Sequence, residues 1–275
     1  MWPRDRTSAS EVLRIGRHAI ERWQNASGTL SLLSEHALPQ ATAPQPQHLT
    51  EAIRMLYVSR PASPVALVLE SAWLPVMLVE TGPVLLRAAQ LDALVRHRFG
   101  QHHSDGLDSV AAWELRIEHR AGSRYALAYG MPPRLKQTLI DVARAAGLSW
   151  AAMTPVLAWG MERLRPGKVL PRSPGWFAWP EQDRTLIARL ASNEIVALHA
   201  GAPRVADEPE LLRLVDAESV RCGMATITDP IVAATWAPTP RAVRTGQRVV
   251  WLDARAPNGR SAVPSLSAAP RKVPA

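Results

Sequence analysis

The feature that most constrains the fold of this chain is an order of segments that occurs twice. Each copy has three short strand-like stretches, an amphipathic helix and a further strand, assigned from alternation and from 3.6-residue periodicity. In the first copy these segments are residues 12–16, 19–24, 30–38, 48–59 and 65–70. In the second copy they are residues 176–179, 185–192, 195–200, 207–221 and 225–228. The sequence therefore predicts an α/β chain with a duplicated βββαβ architecture in two halves.

The stretch between the two copies predicts a smaller unit and two helices. Its predicted elements are a strand at 74–81, a helix at 84–99, a hairpin of strands at 113–118 and 124–129, and helices at 134–146 and 155–165. Pro132 and Pro133 suit the start of the helix at 134–146, and Gly147 suits its end. The alternation in the hairpin predicts a sheet with one face in water.

The domain organisation follows from this order of elements. We expect an N-terminal extension at 1–10, a first half at 11–150 that includes the inserted strands and helix, and a smaller second half at 151–236. Residues 237–275 are rich in Pro, Ala and Arg, which predicts a disordered tail. Within the tail, Arg248–Leu252 is the one segment expected to pair or dock.

The formal charge of +8 raises the question of nucleic-acid binding, because Arg and Lys neutralise phosphates. Residues 237–275 hold seven basic residues and one acidic residue, which is +6 (seven minus one), so the body carries only +2 (eight minus six). A charge confined to one tail argues against a nucleic-acid surface on the folded part. A nucleic-acid adaptor that acts through the tail stays as a third, weaker hypothesis.

Neither a membrane span nor an export signal is evident in the sequence. The most apolar stretch, 64–82, is interrupted by Glu70, Pro75 and Glu80, and residues 1–10 have no apolar core. Cys222 is the single cysteine, which excludes an internal disulfide. We therefore expect a cytoplasmic protein.

The repeated order resembles the actin-like, ribonuclease H-like fold, and in particular PilM-type proteins of type IV pilus assembly and the cytoplasmic domains of GspL-type proteins of type II secretion. The resemblance is carried by VLRIGRHAIERW at 12–23, by the apolar strands and helix at 65–100, and by PPRLKQTLIDVARAAGLSW at 132–150. It covers residues 11–230. It implies a cytoplasmic scaffold, peripheral to the inner membrane, that binds a membrane partner of the platform through a groove or by strand addition, with the assembly ATPase as a further partner.

The sequence departs from the actin-like ATPases where these hold nucleotide. They need an Asp at the end of the first strand to organise Mg²⁺, and small residues whose amides reach the phosphates. Here Arg14 to His18 places basic residues at that strand end, and the second hairpin, at 179–185, has no glycine between its strands. We therefore predict a degenerate cleft that binds no cofactor and no metal, centred on residues Gly16, Arg17, His18, Gln182 and Asp183.

Other candidate chemistry is weak. The residues His97, His102, His103, Asp105 and Asp108 could ligate a metal, but their spacing matches no known motif, and basic residues are common at a helix end. Cys222 lies beside Arg221, which can lower a thiol pKa, yet a single cysteine at a helix end is usually a packing residue. No nucleophile motif or Walker loop is present, so we predict no catalytic residues.

Two hypotheses therefore compete. A non-catalytic scaffold would bind its partner through an exposed anchor, for which Trp73 between two apolar strands is the candidate. An active ATPase or kinase-type enzyme with altered phosphate loops would instead need an acidic group within reach of the first hairpin, such as Glu11 or Glu35.

Overall fold

The computed structural model describes most of the chain. The described residues are 9–39, 45–58, 61, 63–82, 86–103, 109–164, 174–192, 194–205, 207–224, 229–236 and 249–253. The strands are β1 (Glu11–Ile15), β2 (Ala19–Ala26), β3 (Thr29–Ala37), β4 (Val65–Leu69), β5 (Val76–Glu80), β6 (Glu114–His119), β7 (Tyr125–Met131), β8 (Trp150–Pro155), β9 (Gly175–Pro180), β10 (Arg184–Ala191), β11 (Glu194–Pro203), β12 (Ile231–Thr235) and β13 (Val249–Asp253). The helices are α1 (Gln47–Leu56), α2 (Ala88–His103), α3 (Pro133–Ala146), α4 (Val156–Leu164) and α5 (Glu208–Arg221).

The two halves of the chain form sheets of the same topology. The first sheet has the order β3-β2-β1-β4-β8, and the second has the order β11-β10-β9-β12-β13. In both sheets the first three strands are antiparallel, and the next two are added in parallel. This matching order confirms the duplicated βββαβ architecture in an α/β chain.

Two strands were missed in the sequence, and both lie beside a central strand. β8 pairs in parallel with β4, so the expected border between the halves at 150/151 falls within a strand of the first sheet. β12 pairs in parallel with β9. The strand expected at 225–228 lies outside the described residues.

The prediction for the C-terminal segment needs a partial correction. β13 pairs in parallel with β12 along its whole length, as in Ile231 opposite Val249, so these five residues belong to the second sheet and not to a disordered tail. Docking of Arg248–Leu252 was expected, and the strand confirms it for the residues that are described. The rest of 237–275 lies outside the described residues.

A third sheet, with the order β5-β7-β6, forms the insertion in the first half. Helix α2 packs on one face, where Val95, Phe99, Trp113, Ala126 and Ala128 are buried. The helix occupies 88–103 instead of the expected 84–99, while residues 83–85 are not described. The predicted β6–β7 hairpin is confirmed.

The main apolar core joins the two halves. Helices α1 and α3 cover one face of the first sheet, and α5 covers one face of the second. The remaining faces meet around α4 in a single cluster that contains Val12 and Trp23 from the first sheet, Leu157 from α4, and Trp179 and Val232 from the second sheet. The two halves therefore share one core, and their adjoining strand ends are held close together.

The helix ends follow their local sequence signals. The Asp207 side chain accepts a hydrogen bond from the Glu210 N–H at 2.9 Å and so forms the N-cap of α5. Gly147 ends α3 in the left-handed region, with φ of 63°, as a C-cap glycine does. Among the described helices, none is long and apolar enough to cross a membrane.

Candidate functional site

The candidate site lies where two hairpins meet. The first hairpin is β1–β2, with its turn at 16–18, and the second is β9–β10, with its turn at 181–183. Oε1 of Gln182 accepts hydrogen bonds from the N–H groups of His18 at 2.6 Å and Ala19 at 3.0 Å. The Gln182 carboxamide also donates from Nε2 to the Ala19 carbonyl at 3.3 Å. One side chain of the second half therefore provides hydrogen-bond partners for the backbone groups of the turn in the first half.

Gly16 makes this contact possible. A Cβ atom at Gly16 would overlap the carboxamide of Gln182, which is held in place by its bonds to the turn. The absence of a side chain at Gly16 thus leaves room for the carboxamide of Gln182. The N–H groups of His18 and Ala19 in this turn are both used by Gln182.

An ion pair also links the two turns. Nη1 of Arg17 lies 2.7 Å from Oδ2 of Asp183, and Nη2 of Arg184 lies 3.1 Å from the same oxygen. Burial alone would raise the pKa of Asp183, but its bonds to Arg184 and Arg17 outweigh this and lower it. Asp183 is therefore an ionised carboxylate that forms ion pairs with both Arg17 and Arg184.

A second, buried ion pair lies behind the turns. The Arg14 side chain, on β1, binds the carboxylate of Glu70, which follows β4 and has no exposed surface. Nη1 of Arg14 also binds Glu21 at 3.0 Å, and the guanidinium lies 5.2 Å from the ring centroid of Trp236. Glu70 accepts a hydrogen bond from the Gln182 N–H at 3.3 Å. Charges of the first half are thus neutralised inside the contact, and the second half adds the Trp236 ring and the Gln182 N–H.

The third contact joins Glu181 to Ser71. Oε1 of Glu181 accepts from the Ser71 N–H at 2.8 Å, and Oε2 is hydrogen-bonded to the Ser71 hydroxyl. Burial, and after it the nearby charge of Glu70, raises the pKa of Glu181 to about 7. We call residues 16–19, 70–71 and 181–183 together the junction.

Sequence reasoning missed Glu70 and Glu181. Both acids directly follow a fully buried strand, β4 and β9, and such strand ends collect polar residues at one edge of a sheet. That position was the available signal. Their oxygens and one of Asp183 lie within 4.8 Å of one another. Arg14 binds Glu70 and two arginines bind Asp183, so the positive charge that a cation would supply is already present.

Trp73 is not the exposed anchor that the sequence predicted. Its side chain is 4% exposed, and its Nε1 donates to the Gly16 carbonyl at 2.8 Å. The turn after β4 folds inward because this indole fills the space under the first hairpin. Trp73 is therefore a supporting residue of the junction and is withdrawn as a candidate for partner binding.

The remaining candidates lie apart from the junction. Glu11 binds Arg22 at 2.8 Å, and Glu35 is exposed on β3 opposite Glu21, so neither acid supplies a ligand at the first turn. Partial burial, and after it Glu218, raises the pKa of the Cys222 thiol, so proximity to Arg221 does not activate it.

The histidines that the sequence offered as a weak metal candidate do not form a metal-site group among the described residues. The ring of His103 stacks on Trp113, with centroids 5.7 Å apart, and burial lowers its pKa. His97 and His102 are exposed, and Asp105 and Asp108 lie outside the described residues. Within the part of the chain that the structure describes, the only group of acids and histidines with metal-site spacing is the one at the junction.

A magnesium-bound nucleotide does not fit the junction as it stands. The turn amides are occupied by Gln182, the end of β1 carries Arg14 and Arg17 in place of an acid, and no space remains beside Gly16. What the arrangement can do chemically is to hold the two halves together through hydrogen bonds and ion pairs.

Comparison with solved structures places the fold. The cytoplasmic domain of EpsL, an inner membrane component of the type II secretion system of Vibrio cholerae, is 13% identical, with a TM-score of 0.50 and 88% of each chain covered. A Bacteroides thetaiotaomicron protein of unknown function with an actin-like ATPase fold is 9% identical, with a TM-score of 0.53, covering 85% of this chain and 84% of that one. A PilM-PilN type IV pilus biogenesis complex shows 10% identity and a TM-score of 0.50, covering 84% of this chain and 81% of the other.

The sequence alone matches no family model and no curated protein. The structural likeness extends over 84–88% of the chain, and therefore over both halves. The chain has the actin-like ATPase fold and resembles the pilus and secretion proteins that share it.

Proposed function

We propose that this chain is a non-catalytic scaffold of a platform related to type IV pilus assembly or type II secretion. In this role it lies at the cytoplasmic face of the inner membrane and binds a short segment of a membrane partner. The observation that carries the proposal is the side chain of Gln182, which occupies the two turn amides where an actin-like ATPase would hold phosphate. The likeness to EpsL and to the PilM-PilN complex supports the choice of platform.

An actin-like ATPase or kinase-type enzyme is the competing function. It is favoured by the three carboxyl groups of Glu70, Glu181 and Asp183 at the junction. Phosphoryl transfer needs such groups free to organise Mg²⁺, whereas here Arg14 and Arg17 bind two of them. Measurements with nucleotide separate the two functions.

Millimolar ATP with Mg²⁺ is expected to leave the melting temperature of the full chain unchanged and to produce no binding heat. A micromolar site would stabilise the protein by about 4 kcal/mol at roughly 1,000-fold ligand excess, which is easily detected. Differential scanning calorimetry and isothermal titration are the measurements. A clear upward shift, or release of phosphate from ATP, would replace the scaffold with the enzyme.

The open edge of the first sheet supports partner binding by strand addition. β3 has a strand partner on one side only within the described part of the chain, and its Leu32 and Leu33 are 48% and 47% exposed. An unpaired edge with apolar side chains is the surface that an extended segment joins in this mode of recognition. We therefore assign the partner segment to β3.

Inverted inner-membrane vesicles from the organism that encodes the chain are the direct test. We expect the full chain to float with the vesicles and to lose this binding when Leu32 and Leu33 are both replaced by lysine. Met55→Lys with Val58→Lys is the matched control, because these apolar residues of the α1 region are also exposed. That control should bind as the parent chain does.

Protease treatment of the vesicles identifies the class of partner. Binding that survives digestion, or that occurs equally on protein-free liposomes, would contradict a protein partner and assign the contact to lipid. Binding that is lost in neither double variant would reject β3 as the docking edge.

A further inference from the structure

The buried carboxyl group of Glu181 connects the ends of two central strands. Glu181 directly follows β9 and is 2% exposed, and its two oxygens bind the backbone and the hydroxyl of Ser71, which lies just after β4. The next residue, Gln182, closes the first hairpin. A change of charge at Glu181 therefore affects the hydrogen bonds that connect the second half to the first.

The groups that face Glu181 come from every adjoining element. Glu70, at the end of β4, and Asp183, in the second turn, add negative charge within 4.8 Å. The positive groups are Arg14 on β1, which binds Glu70, and Arg17 and Arg184, which bind Asp183. The bonds that hold Glu181 itself run to the uncharged Ser71.

The two protonation states of Glu181 differ in what they do here. The Ser71 N–H and the Ser71 hydroxyl both donate to Glu181, and these two bonds lower its pKa, whereas the neutral acid adds no charge to the buried space. The ionised acid places a second negative charge beside Glu70 in a buried space. Burial and Glu70 are accordingly the causes of the raised pKa of about 7.

We propose that the junction is a proton-dependent clamp between the two halves, which is tight when Glu181 is protonated and loosens when Glu181 ionises. Loosening here means local opening of the contacts at 16–19, 70–71 and 181–183, with the shared apolar core retained. The clamp does not depend on which partner the protein binds.

The direction of the pH dependence follows from linkage. In the loosened junction Glu181 reaches water and its pKa falls toward the ordinary 4.5, whereas in the closed junction it is about 7. Below about pH 4.5 the free energy of opening is at its largest. It decreases as the pH rises from about 4.5 to 7, and above pH 7 it changes little. The opening constant should rise roughly 30-fold between about pH 5.5 and pH 8.

Hydrogen–deuterium exchange of the full chain tests the clamp. After correction for intrinsic exchange rates, peptides that contain the amides of Ser71, His18 and Ala19 should lose protection by that factor, while peptides from α3 stay constant. Glu181→Gln, which keeps the shape and is always neutral, should remove the pH dependence. Glu51→Gln, at an exposed position of α1, should retain it.

The clamp is rejected if Glu181→Gln shows the same pH dependence as the parent chain, or if all peptides lose protection together. Should Glu181→Gln fail to fold, the parent chain still decides the matter. A carbon-13 titration of labelled glutamates must then show one carboxyl group that titrates near pH 7 in the folded protein. A spectrum in which every glutamate titrates below pH 6 would overturn the proposal.

Discussion

Replacement of Arg14 by methionine is expected to lower the free energy of unfolding by about 3–5 kcal/mol, because it leaves the buried carboxylate of Glu70 without a positively charged partner. Arg14 is 5% exposed, and its partner Glu70 is fully buried. Glu70 then either keeps an unpaired charge or takes up a proton. Urea denaturation near pH 7.5 measures the loss, which should shrink at acidic pH, where the carboxyl group is neutral.

A double variant shows whether the pair or the site is responsible. Arg14→Met with Glu70→Gln removes both charges and keeps an acceptor for the Gln182 N–H, so most of the lost stability should return. Arg124→Met is the control, because its ion pair with Glu80 is 63% and 59% exposed and should contribute only about 0–1 kcal/mol. A loss below about 1 kcal/mol for Arg14→Met would show that the pair is not buried as described.

Trp236→Ala is expected to have an effect of similar size, about 3–5 kcal/mol. The indole follows β12 and is 3% exposed. It stacks on Trp159 of α4 at 4.4 Å and packs against Trp23 of β2 at 5.3 Å and Trp179 of β9 at 6.4 Å, measured between ring centroids. Its removal would open a cavity between the two halves, and thermal or urea unfolding reports the cost.

Trp236→Phe separates packing from hydrogen bonding. The indole N–H has no hydrogen-bond partner among the residues that the structure describes, so its loss leaves no acceptor unsatisfied there. A phenyl ring keeps part of the stacking, and we expect a smaller loss, on the order of 1–2 kcal/mol. Equal losses for the two variants would show that the N–H group, and not the ring contact, stabilises this position.

The fold was predictable where the local sequence pattern favours the same secondary structure that the strand pairing requires. The hairpins of β1, β2 and β3 follow from alternation and turn residues, and the cap at Asp207 follows from its position before Pro209. β8 could not be found in this way, because Trp150–Pro155 is rich in alanine and gains its extended form by pairing with β4. β12 was missed for the same reason, since its pairing with the distant β9 holds it in place.

The site was predictable only in part. The sequence departs from the ATPase pattern at Arg14 to His18, and the structure brings Gly16 and His18 into contact with Gln182; a degenerate nucleotide cleft at this place stays a prediction. The sequence did not show that Gln182 would fill that space, since its partners lie 163 and 164 positions away. The exposure expected for Trp73 was wrong because its indole packs under the first hairpin, where Nε1 donates to the Gly16 carbonyl.

The bond of Gln182 to the first hairpin has a consequence for how the protein responds to its surroundings. A nucleotide at this place would come and go with its concentration, so the closeness of the two halves would follow the metabolic state of the cell. A carboxamide that belongs to the chain has a fixed effective concentration at the turn, whatever the cell contains. The two halves are thus held together by a tethered group of the chain itself, and the adjustment that we propose for this contact is protonation of Glu181.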